Sequence, residues 1–217
     1  MTASDPKLGK EEPDMDELVR ARRLGATDPV ESLAILKCLA ERGSIRAAAS
    51  IGEAHRKGMG TPVDLPEAMR WYEQAANRGH VQAAETLGLM LLNARNPDEA
   101  VRWLKYSAAR GRTRSMYALG VVYGYGKAGV KPDHHHARDW LEKAMQAGDL
   151  LAKDRLGKLL LRGHFGLSAK WRGLRLLLEG TRDVASLASK NMDDERLRLV
   201  RDIARQTWLG RVLRIPK

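Results

Sequence analysis

The sequence predicts an all-α protein, a right-handed α-solenoid of helix-turn-helix repeats with capping helices at its N- and C-terminal ends. Two patterns that recur together predict this fold class, and the composition agrees with them. The first is Ala-x-x-x-(Leu/Ile)-Gly, with Ser once replacing Ala, and its glycines are Gly52, Gly88, Gly120 and Gly157. The second places a tryptophan eight residues before a glycine, in the pairs Trp71 and Gly79, Trp103 and Gly111, and Trp140 and Gly148. Aromatic residues make up only 5% of the chain, which is low for a β-sandwich and ordinary for packed helices.

Each element of the repeat has a physical reason. Small residues around Gly52 let the first helix of a unit approach its neighbours closely, while Trp71 and Tyr72 on the second helix fill the gap to the next unit. Gly79 follows the second helix, where a left-handed backbone is least costly for glycine. Groupings of Asp, Asn and Pro predict that the second helices begin at residues 64–66, 96–98 and 131–133.

Incomplete copies of the pattern flank the three clear ones. Upstream, Ile35 takes the tryptophan position, eight residues before Gly43. Downstream, Arg172 takes that position with Trp171 beside it, and the unit is predicted to end at Gly180. We therefore predict a flexible tail at 1–13, a solenoid at 14–182 that starts with a capping helix at 14–24, and a basic C-terminal capping segment at 183–217, helical over 193–213.

The clearest copy resembles the Sel1-like repeat, a relative of the tetratricopeptide repeat. Its matching residues are Ala47, Ile51-Gly52, His55, Gly58-x-Gly60, Asp64, Ala68, Trp71-Tyr72, Ala75-Ala76 and Gly79. The copy at 115–148 is similar, the copy at 83–111 has Asn93-Ala94-Arg95-Asn96 instead of the Gly-x-Gly turn, so a shorter loop is expected, and the copy at 152–180 is the most divergent. The resemblance, over about residues 31–180, implies a non-catalytic adaptor or scaffold for a protein partner. In bacterial members it also implies a bearing on envelope or exopolysaccharide regulation.

The net charge of +11 is concentrated near the C-terminus. Residues 1–150 carry 22 Lys and Arg against 20 Asp and Glu, whereas residues 151–217 carry 16 against 7. The sequence has no secretion signal and no apolar run that could span a membrane, so we expect a cytoplasmic protein, with peripheral contact to the inner face of the membrane left open. The single cysteine, Cys38, lies among apolar residues of a predicted helix and is expected to be buried and inert.

The sequence predicts no enzyme, no cofactor and no metal site. Gly124-x-Gly126-x-x-Gly129 has the spacing of a dinucleotide fingerprint, but it follows a helical pattern rather than a strand. The three consecutive histidines at 134–136 point about 100° apart on a helix, so they cannot converge on one ion. No Gly-x-Ser-x-Gly nucleophile motif is present. Nucleic acid is not favoured as a partner, since the tryptophans belong to the repeat core rather than to a stacking row.

Two sets of residues remain as candidate binding surfaces. Those at the ends of first helices and in the adjoining loops are predicted to bind a protein partner on the concave face of the repeats: His55, Arg56, Lys57, Arg95, Tyr123, Tyr125 and Lys127. Those in the basic C-terminal third are predicted to contact an anionic membrane or a partner helix: Lys170, Trp171, Arg172, Arg175, Arg198, Arg201, Arg205 and Trp208. A pure cap on the last repeat and the acidic groove of a partner protein stay open as alternatives for this segment.

Overall fold

The computed structural model describes residues 15–190, whose regular structure is entirely helical. The helices are α1 (Met15–Leu24), α2 (Pro29–Glu41), α3 (Ile45–Lys57), α4 (Leu65–Asn77), α5 (Val81–Asn93), α6 (Pro97–Ala108), α7 (Thr113–Tyr125), α8 (His134–Gln146), α9 (Leu150–Leu161) and α10 (Leu167–Lys190). A short 3₁₀ helix, Lys127–Gly129, lies between α7 and α8. The predicted tail at 1–13 and the predicted final helix at 193–213 lie outside the described residues.

The chain divides into two compact units, and the first contains α1 to α6 within residues 15–112. In it, each helix packs against the next one, from α1 with α2 to α5 with α6. Its core is built from small and branched apolar residues such as Leu39, Ile51 and Ala84, with the larger Tyr72 and Trp103 among them. Each helix pair therefore buries its apolar face against the pair that follows it.

The second unit contains α7 to α10 within the described part of residues 113–190. α7 packs against α8, α8 against α9, and α9 against α10, and α7 also contacts α9. Its core includes the fully buried Leu141, Leu156 and Leu160 together with Leu176 from α10. α7 and α9 are the first helices of two successive repeats. Their contact brings side chains of both helices to one surface.

The second helices begin close to where the sequence predicts, and polar side chains lie at their N-termini. The Asp64 carboxylate accepts a hydrogen bond from the backbone N–H of Glu67 at 2.9 Å, and Asp133 accepts one from His136 at the same distance. Both are ordinary N-caps, which satisfy an amide at the helix start that has no partner within the helix. Asn96 differs, because its side-chain amide donates to the Glu99 carboxylate at 3.1 Å and makes no cap bond to the backbone.

A glycine of every first helix in the repeat lies against a large residue of the second helix. A Cβ placed on Gly88 would lie 2.9 Å from Cγ of Leu104, and one on Gly120 would lie 2.6 Å from Cγ of Leu141. Gly52 meets the ring of Tyr72 in the same way, at 3.1 Å. The glycine of the Ala-x-x-x-(Leu/Ile)-Gly pattern is therefore a packing residue that allows the two helices to approach.

The fourth repeat, formed by α9 and α10, aligns with the earlier repeats in a different register from the predicted one. Gly157 lies against Leu177, since a Cβ on Gly157 would be 2.8 Å from Cγ of Leu177. Leu177 thus matches Tyr72, and the preceding residue, the buried Leu176, takes the tryptophan position that the sequence suggests for Arg172. The prediction that this unit ends at Gly180 is wrong, because Gly180 lies inside α10, which continues to Lys190 and past the predicted boundary at 182. The glycines that end the earlier second helices all have a positive φ: Gly43, Gly79, Gly111 and Gly148.

The prediction of a buried Cys38 is also wrong, because its side chain is exposed. The buried face of α2 is formed by Leu33, Leu36, Leu39 and Ala40. Cys38 is two residues from Leu36, which places it about 200° around the helix axis. An apolar neighbourhood in sequence did not give burial here, because the residue lies opposite the packed face.

Candidate functional site

The end of α3 carries a cluster of charges centred on Glu53. Its carboxylate accepts two hydrogen bonds from the Arg56 guanidinium, at 2.6 and 2.9 Å, and pairs with the Lys57 ammonium at 2.7 Å. The Tyr72 hydroxyl of α4 donates to the same carboxylate at 2.5 Å. Two of the cations predicted to bind a partner are therefore held by one acid of their own helix.

Electrostatics keeps this cluster ionised. Hydrogen bonds from Arg56, followed in importance by those from Lys57 and Tyr72, lower the pKa of Glu53 to about 2 against the opposing effect of burial. Burial, reinforced by the Glu53 carboxylate, raises the pKa of Tyr72 above its usual value. His55, next to Arg56, is half-buried, and its Nδ1 atom is buried without a hydrogen-bond partner in the described part of the chain.

Arg95 lies in the loop between α5 and α6, which is shorter than the loop that follows α3, as predicted. Its φ of 57° places it in the left-handed region, where non-glycine residues are uncommon. The side chain is exposed. Arg95 therefore takes the place of a glycine in a tight turn and projects into solvent.

The end of α7 carries the remaining predicted residues of the first set. Tyr123 packs near His136, with ring centroids 5.5 Å apart. Tyr125 lies beneath Arg155 of α9 and Arg162, the C-cap of that helix, with Cζ of Arg162 at 4.4 Å and Cζ of Arg155 at 5.8 Å from its ring centroid. Lys127 is exposed in the 3₁₀ helix.

Arg155 and Arg162 were not predicted as binding residues. They lie two residues before and five residues after Gly157. Because seven residues are almost two helical turns, both project from the same side of α9. The sequence contains a signal for Arg162, since Tyr125 is also five residues after its glycine, but the excess of basic residues is greatest further along the chain.

The described residues of the C-terminal set lie on the exposed side of α10. Trp171 is 73% exposed, and Leu167, one turn earlier, is 76% exposed. Arg172 pairs with Glu142 of α8 at 2.8 Å, and Arg175 pairs with Glu179 at 2.8 Å. Lys170 is exposed beside them. The other predicted members, Arg198, Arg201, Arg205 and Trp208, lie outside the described residues.

The histidines of α8 make ring contacts with the loop between α9 and α10. His134 stacks on His164, with ring centroids 3.9 Å apart, and the ring edge of His135 meets Phe165 at 5.2 Å. His136 instead contacts the Asp133 carboxylate at 2.7 Å. Within residues 15–190, no group of three or more His, Cys, Asp or Glu residues is placed to hold a metal ion.

The Sel1 repeat family model matches this chain at residues 45–80, 87–111 and 113–149. The chain contains three Sel1 repeats. The matched stretches include α3, α4, α6, α7, α8 and the second half of α5, whereas the fourth repeat, formed by α9 and α10, lies beyond them. Sel1 repeats commonly form scaffolds for protein interactions. A comparison with curated proteins found no match.

Solved structures of Sel1-like repeat proteins share this fold. A Sel1 repeat protein from Oxalobacter formigenes is 22% identical with a TM-score of 0.65, and the match covers 78% of this chain and 69% of that one. The protein c5321, a protective antigen present in uropathogenic Escherichia coli strains, is 22% identical with a TM-score of 0.64. That match covers 92% of this chain but only 50% of c5321, so this chain spans half its length. These similarities confirm the predicted fold class, an all-α solenoid of helix-turn-helix repeats.

The geometry groups the candidate residues of this Sel1-like repeat protein into separate surfaces. In the first unit, His55, Arg56 and Lys57 are brought together at the end of α3, while Arg95 lies in a different loop. In the second unit, Tyr125 lies at the end of α7 near Arg155 and Arg162, and Lys127 lies in the 3₁₀ helix that follows α7. None of the helices in the described part of the chain is long and apolar enough to cross a membrane.

Proposed function

We propose that this protein is a non-catalytic scaffold that holds a protein partner on the face lined by its first helices. One observation carries the proposal. The residues five positions after the repeat glycines are Lys57, Asn93, Tyr125 and Arg162. Not one of them is buried, and they comprise two cations, an amide and a phenol, whereas the glycines themselves are uniform. Positions that packing does not constrain are suited to the recognition of a partner.

The setting of this scaffold follows from the resemblance rather than from the geometry. We extend the proposal to an envelope or exopolysaccharide process, which the Sel1-like resemblance implies for bacterial proteins. Binding would then occur through Lys57, Tyr125, Lys127 and the neighbouring candidates of the first set. The tight pairing of Arg56 with Glu53 makes Arg56 a support for this surface rather than its outermost contact.

A crosslinking pull-down from source cells, with soluble and envelope fractions kept separate, tests the proposal. The variant Lys57→Glu/Lys127→Glu should lose the captured partner. The matched control Arg20→Glu/Arg70→Glu makes the same change in net charge at two side chains that are 68% and 79% exposed, and it should keep the partner. Equal capture by both variants, with unchanged circular dichroism, would contradict the proposal.

A second candidate function is peripheral docking on an anionic membrane beside a polysaccharide-synthesis complex. The specific observation that favours it is the exposed stripe of Leu167, Trp171 and Leu178 along α10, with Lys170 and Arg175 next to it. Residues at intervals of four and seven lie on one side of a helix, and apolar residues with flanking cations are typical of interfacial helices. The matching position of Leu178 in the other second helices is charged: Lys37, Glu73, Lys105 and Glu142.

Flotation of the full-length protein with vesicles tests this second function. Binding to vesicles that contain phosphatidylserine, and none to pure phosphatidylcholine vesicles, is expected. The variant Leu167→Ser/Trp171→Ser should lose binding. The control Val63→Ser/Leu65→Ser should retain it, although it also removes two exposed apolar side chains, one in the loop before α4 and one at the first residue of α4. Absence of binding to the anionic vesicles would eliminate membrane docking through α10.

A further inference from the structure

We propose that α7 and α9 together bind an acidic segment of the partner protein, with the guanidinium groups of Arg155 and Arg162 contacting its carboxylates. This inference rests on the proposed scaffold function and specifies the chemistry of the segment that is bound. The main contact with the partner then lies in the second unit rather than at the end of α3.

The geometry gathers four side chains on one surface. Arg162 and Arg155 both lie near the ring of Tyr125, at 4.4 and 5.8 Å from its centroid. The Nε–H of Arg155 also donates to the hydroxyl of Tyr117 at 3.3 Å. Two tyrosines of α7 therefore position Arg155 of α9 and Arg162, the residue that follows α9. Because such contacts limit the rotamers of a long side chain, less entropy is lost when the guanidinium groups bind a ligand.

Within residues 15–190, the two arginines have no carboxylate counter-ion within 4.0 Å. Both contact tyrosines, and Arg162 is also close enough to His134 to lower its pKa. Asp154, the acid next to Arg155 in sequence, pairs instead with Lys158 at 2.7 Å. Arg114 and Lys127, on the same unit, are exposed and add positive charge. This surface therefore has an excess of cations that a carboxylate ligand would neutralise.

The first unit shows the contrasting arrangement. There, Arg56 is neutralised by Glu53, and Arg112 forms two hydrogen bonds with Glu85, at 3.0 and 3.1 Å. The Glu85 side chain is only 4% exposed, so that pair is part of the packed structure. Arg56 and Arg112 are thus each paired with a carboxylate of the first unit. At the surface of α7 and α9, Arg155 and Arg162 instead contact tyrosines, so their charge is not compensated by a carboxylate of residues 15–190.

An acidic protein segment fits this surface better than a nucleic acid does. A guanidinium group placed over a ring still has N–H groups at its edge, and these match the two oxygens of a carboxylate. The Arg162 guanidinium lies over the Tyr125 ring, 4.4 Å from its centroid, so that face of the ring is not open to a nucleobase. Met116 and Val121 of α7 are half-buried and lie within four residues of Tyr117 in the sequence, where they can supply apolar contacts. Alternating carboxylate and apolar side chains on an extended segment would use both kinds of contact.

The test measures fluorescence anisotropy of a labelled peptide in which glutamate and leucine alternate, with the full-length protein. Binding should weaken with added salt, and the peptide with glutamine for glutamate should not bind. Arg155→Gln/Arg162→Gln should reduce affinity at least about tenfold. The control Arg20→Gln/Arg70→Gln has the same net charge and should bind within about twofold of the original protein.

Several outcomes would overturn the inference. They are equal binding by the two double variants, failure of the glutamate peptide to bind, and equal binding of the glutamine peptide. Because Arg155→Gln could disturb folding, Arg155→Lys/Arg162→Lys provides a second variant. This variant keeps the positive charge and loses only the planar donor geometry of the guanidinium. It should bind the peptide more weakly than the original protein and more tightly than the glutamine variant. Capture of a partner in the pull-down, together with no peptide binding, would leave the scaffold proposal standing and refute this inference alone.

Discussion

Gly120 of α7 and Leu141 of α8 approach so closely that a Cβ on Gly120 would lie 2.6 Å from Cγ of the leucine. Leu141 is 1% exposed and has no room to move away. We expect Gly120→Ala to destabilise the protein by about 1–2 kcal/mol, since the cost of overpacking exceeds the helix-propensity gain of alanine. Thermal unfolding followed by circular dichroism should show a melting temperature lower by about 2–8 °C.

Gly124 supplies the control for this prediction within the same helix. A Cβ there would lie 3.4 Å from Cβ of Ala137, an ordinary contact distance. Gly124→Ala should therefore stabilise the protein by about 0.5 kcal/mol through helix propensity alone. A Gly120→Ala protein as stable as Gly124→Ala would show that the α7–α8 approach does not depend on the glycine.

The Glu53 cluster makes stability depend on acid pH. The pKa of Glu53 is lowered from its ordinary 4.5 to about 2, so the unfolded chain takes up the proton first as pH falls. The stabilisation is complete above about pH 4.5 and is lost as pH falls toward 2. Because the carboxylate is partly exposed, its contribution is about 1–2 kcal/mol after allowance for solvent screening.

Comparison with Glu53→Gln isolates this effect from other acids. The variant should be less stable than the original protein at neutral pH by about 1–2 kcal/mol, and the difference should shrink between pH 4.5 and 2. Urea unfolding at a series of pH values measures it. A stability difference that stays constant over this range would mean that the carboxylate charge is not the source of the stabilisation.

The repeat could be predicted from sequence because packing fixes its residues. Gly52 and Tyr72 must fit together in three dimensions, so their types recur at regular intervals along the chain. The fourth repeat lacks the tryptophan, and Gly180, which lies eight residues after Arg172, suggested a register four residues too early. Only the contact between Gly157 and Leu177 reveals the correct alignment.

The candidate surface was less predictable, because it depends on which side chains pair. Sequence shows that Arg56 and Arg155 are both basic residues on first helices. It does not show that one is neutralised by Glu53 while the other contacts Tyr117. Periodicity places a residue on a face of a helix, whereas the partner of a charge depends on rotamers and on the neighbouring helix.

Exposure of Cys38 predicts rapid reaction with a thiol reagent in the folded protein. Cys38 is on the solvent side of α2, opposite Leu36. We expect the native protein to react with 5,5′-dithiobis(2-nitrobenzoate) at a rate within about tenfold of the urea-unfolded chain, because no unfolding step is needed to expose the sulfur. Absorbance of the released thiolate measures the rate. Protection by several orders of magnitude would contradict the exposed position.

The stacked histidines of the second unit predict a second pH effect, at higher pH. The pKa of His134 is lowered from its ordinary value of 6.5, first by burial and then by repulsion from His164, Arg162 and His135, with Asp133 opposing the change. Since the unfolded chain binds this proton more readily, the contribution of His134 to stability is complete above about pH 6.5 and is lost as pH falls through its folded pKa.

Nuclear magnetic resonance titration of the His134 ring checks this directly. The midpoint should lie below 6.5. The variant His164→Phe keeps an aromatic ring at the 3.9 Å stacking position while it removes a group that can become charged, so it should raise the pKa of His134 without restoring it fully, because burial remains. An unchanged midpoint in His164→Phe would assign the whole shift to burial and the remaining cations. A midpoint at or above 6.5 in the original protein would contradict the lowered pKa of His134.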